Sequence, residues 1–189
     1  MENKKKVFIL SGPAGAGKNT LWDLLKPLCK DFIEESISMT TRSPRIWEID
    51  WKHYHFITEV LFQDMIEQWH FLEYARVHSW YYGSPKSELE RITNSWKSPI
   101  YIIDVQWTFL LKPLLEKEGY RVITIFLTPP SIEIMKERIR SRGSETEADF
   151  QIRLESAIKE FAQKYLYDTV VINDNLEKTK NELFSLLKM

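Results

Sequence analysis

One stretch of nine residues decides how this chain folds: Gly12, Pro13, Ala14, Gly15, Ala16, Gly17, Lys18, Asn19 and Thr20. It contains a glycine, four further residues and a Gly-Lys pair, the pattern that characterises phosphate-binding loops. The apolar run Lys6–Leu10 before it predicts a β-strand, and leucines spaced three and four apart predict a helix over Lys18–Cys29. A strand, a glycine-rich turn and a helix in this order form the context that the motif requires. The sequence therefore predicts a phosphate-binding loop at residues 11–20.

The residue types in this loop suit the phosphates of a nucleotide. Glycines let consecutive backbone N–H groups face anionic oxygens, and the start of the following helix adds a partial positive charge. Lys18 then reaches the β- and γ-phosphates. The strict motif has Ser or Thr where this chain has Asn19, which argues against GTPase-like sites in which that hydroxyl binds Mg²⁺. We expect Mg²⁺ to be held by the phosphates of ATP and by water, near Asn19 and Thr20, without a direct protein ligand.

Length and composition indicate one domain of ordinary globular character. The chain has 189 residues, of which 43% are hydrophobic and 28% charged. The formal net charge of −1 gives no reason to expect nucleic acid or an anionic membrane as a partner. No apolar run is long enough for a signal peptide or a membrane span, so we expect a cytoplasmic protein. Cys29 is the only cysteine, which excludes an internal disulfide and a cysteine-based zinc site.

Strand-like and helical segments alternate along the rest of the chain. This alternation predicts a three-layer α/β/α fold with a mostly parallel central sheet. Predicted strands cover 37–41, 53–57, 71–77, 99–105, 121–127 and 169–173, and predicted helices cover 60–68, 109–117, 147–165 and 177–187, with a further helix capped by Ser131.

Beyond the loop, short segments resemble the guanylate kinase family in the same order along nearly the whole chain. They are Ser38–Glu48, Tyr54 within HYHF, Phe71–Glu73, Tyr81–Ser84, Ile103–Gln106, Pro129–Ser131, Arg138–Gly143, Arg153-Leu154 and Val171–Asp174. The resemblance implies a single domain over 1–189 with a P-loop NTPase core, a small mixed α/β insertion that binds the monophosphate at about 37–90, and a helical lid at about 138–155. It also implies the reaction ATP + GMP to ADP + GDP in purine nucleotide metabolism.

The resemblance assigns nine residues to the GMP site. A carboxylate that accepts from guanine N1 and N2 would select guanine over adenine, because the wrong base leaves buried groups unpaired. Paired arginines suit a phosphate because each guanidinium can donate two parallel hydrogen bonds. The family pattern places the phosphate at Arg42, Arg45, Tyr54 and Tyr82 and the base at Ser38, Glu73, Ser84 and Asp104, with Glu48 close to the acceptor.

Three arginines match the mobile lid that closes over the triphosphate in the family, namely Arg138, Arg142 and Arg153. Together with Lys18 and Arg42 they form the predicted catalytic set, which neutralises charge on the transferred phosphoryl group. No general base is needed, since the attacking phosphate oxygen of GMP is already ionised.

Two alternatives to a guanylate kinase remain open at this point. Guanylate-kinase-like domains of scaffolding proteins bind phosphopeptides in the same cleft, but their phosphate loops are typically degraded, whereas Lys18 and the loop glycines are intact here. A related P-loop kinase with another phosphorylated acceptor is the second alternative, and Glu73 together with Asp104 argues against it. The sequence does not indicate the oligomeric state.

The distribution of tryptophan is unusual. The chain has seven tryptophans and only six glycines, whereas glycine usually makes up about 7% of a protein. Only Trp22 stands in a helix among apolar neighbours. The family has glycine at or beside the positions of Trp47, Trp51, Trp69, Trp80, Trp96 and Trp107. We interpret several of these six as glycines encoded by UGA, a codon that some bacteria read as glycine; a kinase that is truly rich in tryptophan is the alternative.

Overall fold

The computed structural model describes residues 5–77, 79–141 and 147–189. Arg142, which the sequence places among the lid arginines, lies outside the described residues. A five-stranded sheet forms the centre, and every neighbouring pair of its strands is parallel. In spatial order its strands are β2 (Ile33–Glu35), β7 (Ser98–Ile102), β1 (Lys6–Ser11), β8 (Arg121–Thr128) and β9 (Thr169–Ile172).

The two faces of this sheet carry separate hydrophobic clusters. Successive residues of a strand point to opposite faces, and β1 is apolar at four consecutive positions. Phe8 and Leu10 pack with the helices α1 (Lys18–Cys29) and α7 (Leu176–Lys188). Val7 and Ile9 pack on the other face, where Leu111 and Leu115 belong to α4 (Val105–Lys117). The predicted α/β/α layering with a mostly parallel sheet is therefore confirmed.

A second, four-stranded sheet is formed by the chain between β2 and β7. Its spatial order is β4 (His55–Phe56), β3 (Met39–Thr40), β6 (Trp80–Pro85) and β5 (Phe71–Val77), with α2 (Glu59–Glu67) between β4 and β5 in sequence. The β3–β4 pair is parallel and the other two pairs are antiparallel. The chain returns to the central sheet through α3 (Lys86–Asn94).

Element bounds differ from the sequence expectation at a few points. The strand expected over 99–105 ends at Ile102, because Asp104 is already the N-cap residue of α4. The strands β2 and β6 and the helix α3 were not predicted. The Ser131 hydroxyl accepts a hydrogen bond from the Ile134 N–H and so caps α5 (Ile132–Arg140) as expected. The helix expected over 147–165 ends earlier, because α6 (Glu147–Phe161) is followed by a separate 3₁₀ turn at Lys164–Leu166. In the described ranges no helix is both long and apolar enough to cross a membrane.

Candidate active site

The phosphate-binding loop lies between the end of β1 at Ser11 and the start of α1 at Lys18. Gly12 needs its missing side chain, since a Cβ there would lie 2.0 Å from the carbonyl oxygen of Leu127 on β8. Gly17 has φ 92°, and its Cβ would lie 2.7 Å from the Asn173 amide nitrogen. These glycines therefore allow the loop to pack directly against the neighbouring strand ends.

Asn173 connects the loop to a predicted lid arginine. It follows β9 and is buried, and its Nδ2 donates to the Ala16 carbonyl at 2.8 Å. Its own carbonyl accepts a hydrogen bond from Arg138 Nη2 at 3.0 Å. In the sequence, Asn173 is notable only as part of the family segment Val171–Asp174. Its position directly after a strand of the parallel sheet marks it as a candidate site residue, because ligands bind at the carboxyl ends of the strands in such sheets.

Lys18 and Asp104 meet because β1 and β7 are neighbours. The Lys18 ammonium donates to the Gly12 carbonyl and lies 3.2 Å from Asp104 Oδ1. The Lys18 side chain is only 13% exposed, whereas that of Asp104 is 62% exposed. The ammonium is thus held inside the loop, with a carboxylate on its open side.

A first cavity of about 360 Å³ opens beside the loop. One face of α6 forms its opposite wall, since residues three and four apart on a helix point the same way. Arg153, predicted as a lid arginine, lies on this wall. The cavity is lined by Pro13, Ala14, Gly15, Gly17, Lys18, Asn19, Asp104, Arg153, Ser156, Ala157 and Glu160. Thr20 is exposed on the first turn of α1 and does not belong to this lining.

Glu160 is a residue of this cavity that the sequence analysis missed. Burial raises the pKa of its carboxyl, and nearby Asp104 acts in the same direction. Lys18 and hydrogen bonds from Ser156 and the Ala14 N–H act in the opposite direction. The spacing of Arg153, Ser156 and Glu160 along one helix face was the available signal.

A second cavity of about 390 Å³ shares Lys18, Asn19 and Asp104 with the first. The two cavities therefore meet at these three residues. Six of the nine residues predicted for GMP line the second cavity, together with Trp107: Ser38, Tyr54, Glu73, Tyr82, Ser84 and Asp104.

Glu73 is a buried acid of the second cavity with a raised pKa. It lies on β5 opposite Ser84 of β6, and hydrogen bonding with the Ser84 side chain and N–H acts to lower its pKa. Burial nevertheless raises the pKa of Glu73 to about 7. Its Oε2 is buried and has no hydrogen-bond partner among the residues that the structure describes. A buried carboxylate oxygen without a partner can accept hydrogen bonds from a ligand.

Arg42 and Glu48 form a two-pronged ion pair next to Tyr54, a residue that lines the second cavity. Arg42 Nη1 and Nη2 lie 2.8 Å from the two carboxylate oxygens of Glu48. The Arg45 N–H donates to Glu48 Oε2 at 2.7 Å, and the Arg42 guanidinium lies 5.7 Å from the centre of the Tyr54 ring. Glu48 thus orients Arg42, and Arg42 in turn lowers the pKa of Glu48.

Arg45 takes a different place from Arg42. Its guanidinium lies 5.9 Å from the centre of the Trp47 ring, whereas that of Arg42 lies over Tyr54; neither arginine is itself among the residues lining the second cavity. Tyr54 and Tyr82, whose ring centres are 5.9 Å apart, bring their hydroxyl-bearing rings into the lining instead. The structure therefore brings one of the two predicted phosphate arginines close to the cavity.

Comparison with known proteins points to one family. The family model described as guanylate kinase matches residues 4–189. The guanylate kinase of Wolbachia sp. subsp. Brugia malayi is 39% identical over 99% of this chain and 94% of its own length. That of Clostridium perfringens is 38% identical over 98% of this chain and 84% of its own length.

A solved structure extends the similarity to three dimensions. The crystal structure of guanylate kinase from Anaplasma phagocytophilum superimposes with a TM-score of 0.71 at 26% identity, covering the whole chain and 87% of that protein. On the family match over almost its full length and the relatives above 30% identity, this chain belongs to the guanylate kinase family.

Proposed function

We propose that this chain transfers the γ-phosphoryl group of ATP to GMP, as its family membership implies. The observation that carries the proposal is the meeting of two cavities at Lys18, Asn19 and Asp104. One cavity is built on a phosphate-binding loop, and the other contains a buried carboxylate with an unpaired oxygen. Phosphoryl transfer requires its donor and acceptor to meet, and a shared boundary between two sites lets them do so.

On the donor side, the loop and α1 bind the triphosphate of ATP. The N–H groups of the loop and the start of α1 face the phosphate oxygens, and Lys18 exchanges its contacts with Gly12 and Asp104 for the β- and γ-phosphates. Arg138, Arg142 and Arg153 complete the charge compensation when the lid closes and water is excluded. The lid at about 138–155 and the acceptor-binding segment at about 37–90 are part of this proposal.

On the acceptor side, the base of GMP lies against Glu73. The ionised carboxylate accepts from guanine N1 and N2, with Ser38 and Ser84 as further hydrogen-bond partners of the base. Adenine presents an acceptor at N1, so it leaves a buried carboxylate oxygen unpaired and is rejected. Asp104 contributes to the same edge from the boundary between the two cavities.

The phosphate of GMP lies near Arg42 and the two tyrosines. Arg42 already holds a carboxylate in the two-pronged geometry that a phosphate also accepts. Glu48 keeps the guanidinium in place, Tyr54 and Tyr82 donate hydroxyl hydrogen bonds, and Arg45 reaches the phosphate from the adjoining turn. The phosphate oxygen of GMP is ionised, so this group attacks without a base.

The residues at the junction suit Mg²⁺ bound together with ATP. Within the described residues, no group of three or more His, Cys, Asp and Glu side chains is arranged to hold a metal by itself. Asn19 and Asp104 offer oxygen atoms at the boundary, and oxygen is the ligand that Mg²⁺ prefers, usually with several waters retained. When bound, Mg²⁺ would supply charge neutralisation between the phosphates.

An ATPase assay with GMP, AMP or no acceptor tests the proposal. We expect ADP release that depends on GMP and is lost in Lys18→Ala, because the loop then lacks its phosphate-binding charge. Lys30→Ala, which removes an exposed lysine just beyond the same helix, is the matched control and should retain activity. Equal rates with AMP would refute the assignment of guanine as the acceptor base. Binding of ATP and GMP without turnover would refute the proposal that this chain is an enzyme.

A further inference from the structure

Three residues other than glycine take the left-handed backbone conformation in the described parts of the chain, and all three are tryptophans. Trp51 has φ 64°, Trp69 has φ 58° and Trp96 has φ 64°. This conformation brings the Cβ of an L-residue too close to the following carbonyl oxygen, so single glycines normally occupy it. Chance alone does not explain why the residue type with the largest side chain takes all three places.

Trp69 terminates α2 in a motif that calls for glycine. It follows the cap residue Gln68, and its N–H donates to the Ile66 carbonyl at 3.0 Å. The next N–H, of His70, reaches back to the Met65 carbonyl at 3.0 Å. This pair of bonds defines the Schellman motif, whose left-handed residue is usually glycine.

Trp96 terminates α3 in the same way. It follows the cap residue Ser95, and its N–H donates to the Thr93 carbonyl at 3.3 Å. The N–H of Lys97 reaches the Ile92 carbonyl, also at 3.3 Å. Two helices of this chain therefore end with an identical hydrogen-bond pattern and with tryptophan at its left-handed position.

The end of α4 provides an internal reference, because it has the same motif with glycine. Gly119 has φ 87° and follows the cap residue Glu118. Its N–H donates to the Glu116 carbonyl and the Tyr120 N–H to the Leu115 carbonyl, both at 3.1 Å. The Schellman motif thus ends three helices of this fold, and only the residue type at its left-handed position differs.

The three tryptophan side chains bury little surface that could offset the strain, and the one ring contact among them within the described residues is that of Trp51 with His55, at 4.3 Å between ring centres. Trp51 is 74% exposed, Trp69 81% and Trp96 92%. Trp51 occupies the third position of the turn closed by the Lys52 N–H and the Ile49 carbonyl, where a positive φ again favours glycine. Trp22 is the contrast: it is 2% exposed in α1, and its indole N–H donates to Glu35 at 2.7 Å.

From these positions we propose that the natural protein carries glycine at 51, 69 and 96, and that its gene uses UGA as a glycine codon there. Trp22 is then a true tryptophan encoded by UGG. The inference is independent of the proposed function, because it rests on backbone conformation and exposure. Trp47, Trp80 and Trp107 also stand at or beside positions where the family has glycine, but their φ values are ordinary. Glycine at these three positions therefore remains a prediction from the sequence.

Sequencing the gene, together with mass spectrometry of the protein from its natural source, tests the proposal directly. We expect UGA codons at positions 51, 69 and 96, UGG at position 22, and peptides whose masses correspond to glycine at the three UGA positions. UGG at a proposed glycine position would overturn the assignment of that residue. A UGA codon at position 22 would contradict the reading of UGA as glycine, since a buried tryptophan is required there.

Variants of the chain made with the printed sequence test the physical basis separately. Trp69→Gly and Trp96→Gly should each raise Tm by about 2 to 8 °C by removing the strained Cβ. The matched controls Trp69→Ala and Trp96→Ala keep a Cβ, so their gain in Tm should be clearly smaller. Gly119→Trp should lower Tm by about as much as the glycine variants raise it. Unchanged or lower Tm in both glycine variants, or equal gains with alanine, would overturn the argument.

Discussion

The pH dependence of GMP binding follows from the environment of Glu73. Burial raises the pKa of this carboxyl to about 7. In the ligand-free protein, Glu73 therefore changes from its neutral to its ionised form as the pH rises through 7. Only the ionised form accepts hydrogen bonds from both guanine donors. We therefore expect GMP to bind more weakly as the pH falls through 7, with ATP binding much less affected.

The size of this effect can be worked out from the ionised fraction. With a pKa of about 7, roughly one tenth of Glu73 is ionised at pH 6 and roughly nine tenths at pH 8. The apparent Kd is the intrinsic Kd divided by the competent fraction, so the Kd for GMP should be about tenfold higher at pH 6 than at pH 8. This difference corresponds to about 1.4 kcal/mol.

Calorimetric titration with GMP at pH 6 and pH 8 measures the effect, with Glu73→Gln as control. The phosphate of GMP also titrates, with a second pKa of about 6, but it does so in both proteins. The ratio of the two pH dependences therefore isolates Glu73. We expect the variant to bind GMP roughly 10- to 100-fold more weakly at pH 8, since it loses a charged hydrogen-bond acceptor.

The outcome that would refute this reasoning is an equal pH dependence in the two proteins. In that case either Glu73 does not contact the base or it is ionised throughout this range. Tight binding of GMP by Glu73→Gln at pH 8 would point to the first explanation.

Three further predictions concern other parts of the site and its support. Arg42→Lys should raise KM for GMP at least tenfold with little change for ATP, because lysine cannot form the paired contacts seen with Glu48; a change in KM for ATP alone would contradict this. Asn173→Ala should raise KM for ATP about tenfold by removing the buried bond to the Ala16 carbonyl, and an unchanged KM would refute it. Glu88→Gln should lower the free energy of unfolding by about 2 to 3 kcal/mol at pH 7, because the pKa of Glu88 is lowered to about 2 and its stabilisation is present above pH 4.5. That loss should disappear in urea titrations as the pH falls toward 2, and a loss that does not depend on pH would show that charge is not its cause.

The parts of the fold with local sequence signals were predicted from the sequence. The loop glycines and Lys18 lie where the strand, turn and helix pattern places them, and α1 has its predicted bounds of Lys18–Cys29. The strand β6 was missed because Gly83 and Pro85 weaken its local signal. Its pairing with β5 is a tertiary property, and it stacks Phe71 so closely on Gly83 that a Cβ there would lie 2.8 Å from the ring.

The electrostatics of the site depended on long-range packing and could not be predicted locally. The sequence motifs contain Glu73, but the burial that raises its pKa is a tertiary property, since Glu73 on β5 lies opposite Ser84 on β6. In the same way, the pairing of Arg42 with Glu48 requires a turn whose geometry the spacing of the residues does not specify. Glu160 contacts the loop only because α6 packs across the cavity.

In the proposed reaction, ATP and GMP occupy two cavities that meet at Lys18 and Asp104. A crystal structure with a bisubstrate analogue, in which adenosine and guanosine are joined through a chain of phosphates, tests it most directly. We expect guanine N1 and N2 within hydrogen-bond distance of the Glu73 carboxylate, and phosphates surrounded by the N–H groups of Gly15–Lys18. Guanine in the cavity beside the loop, or a base without contact to Glu73, would contradict it.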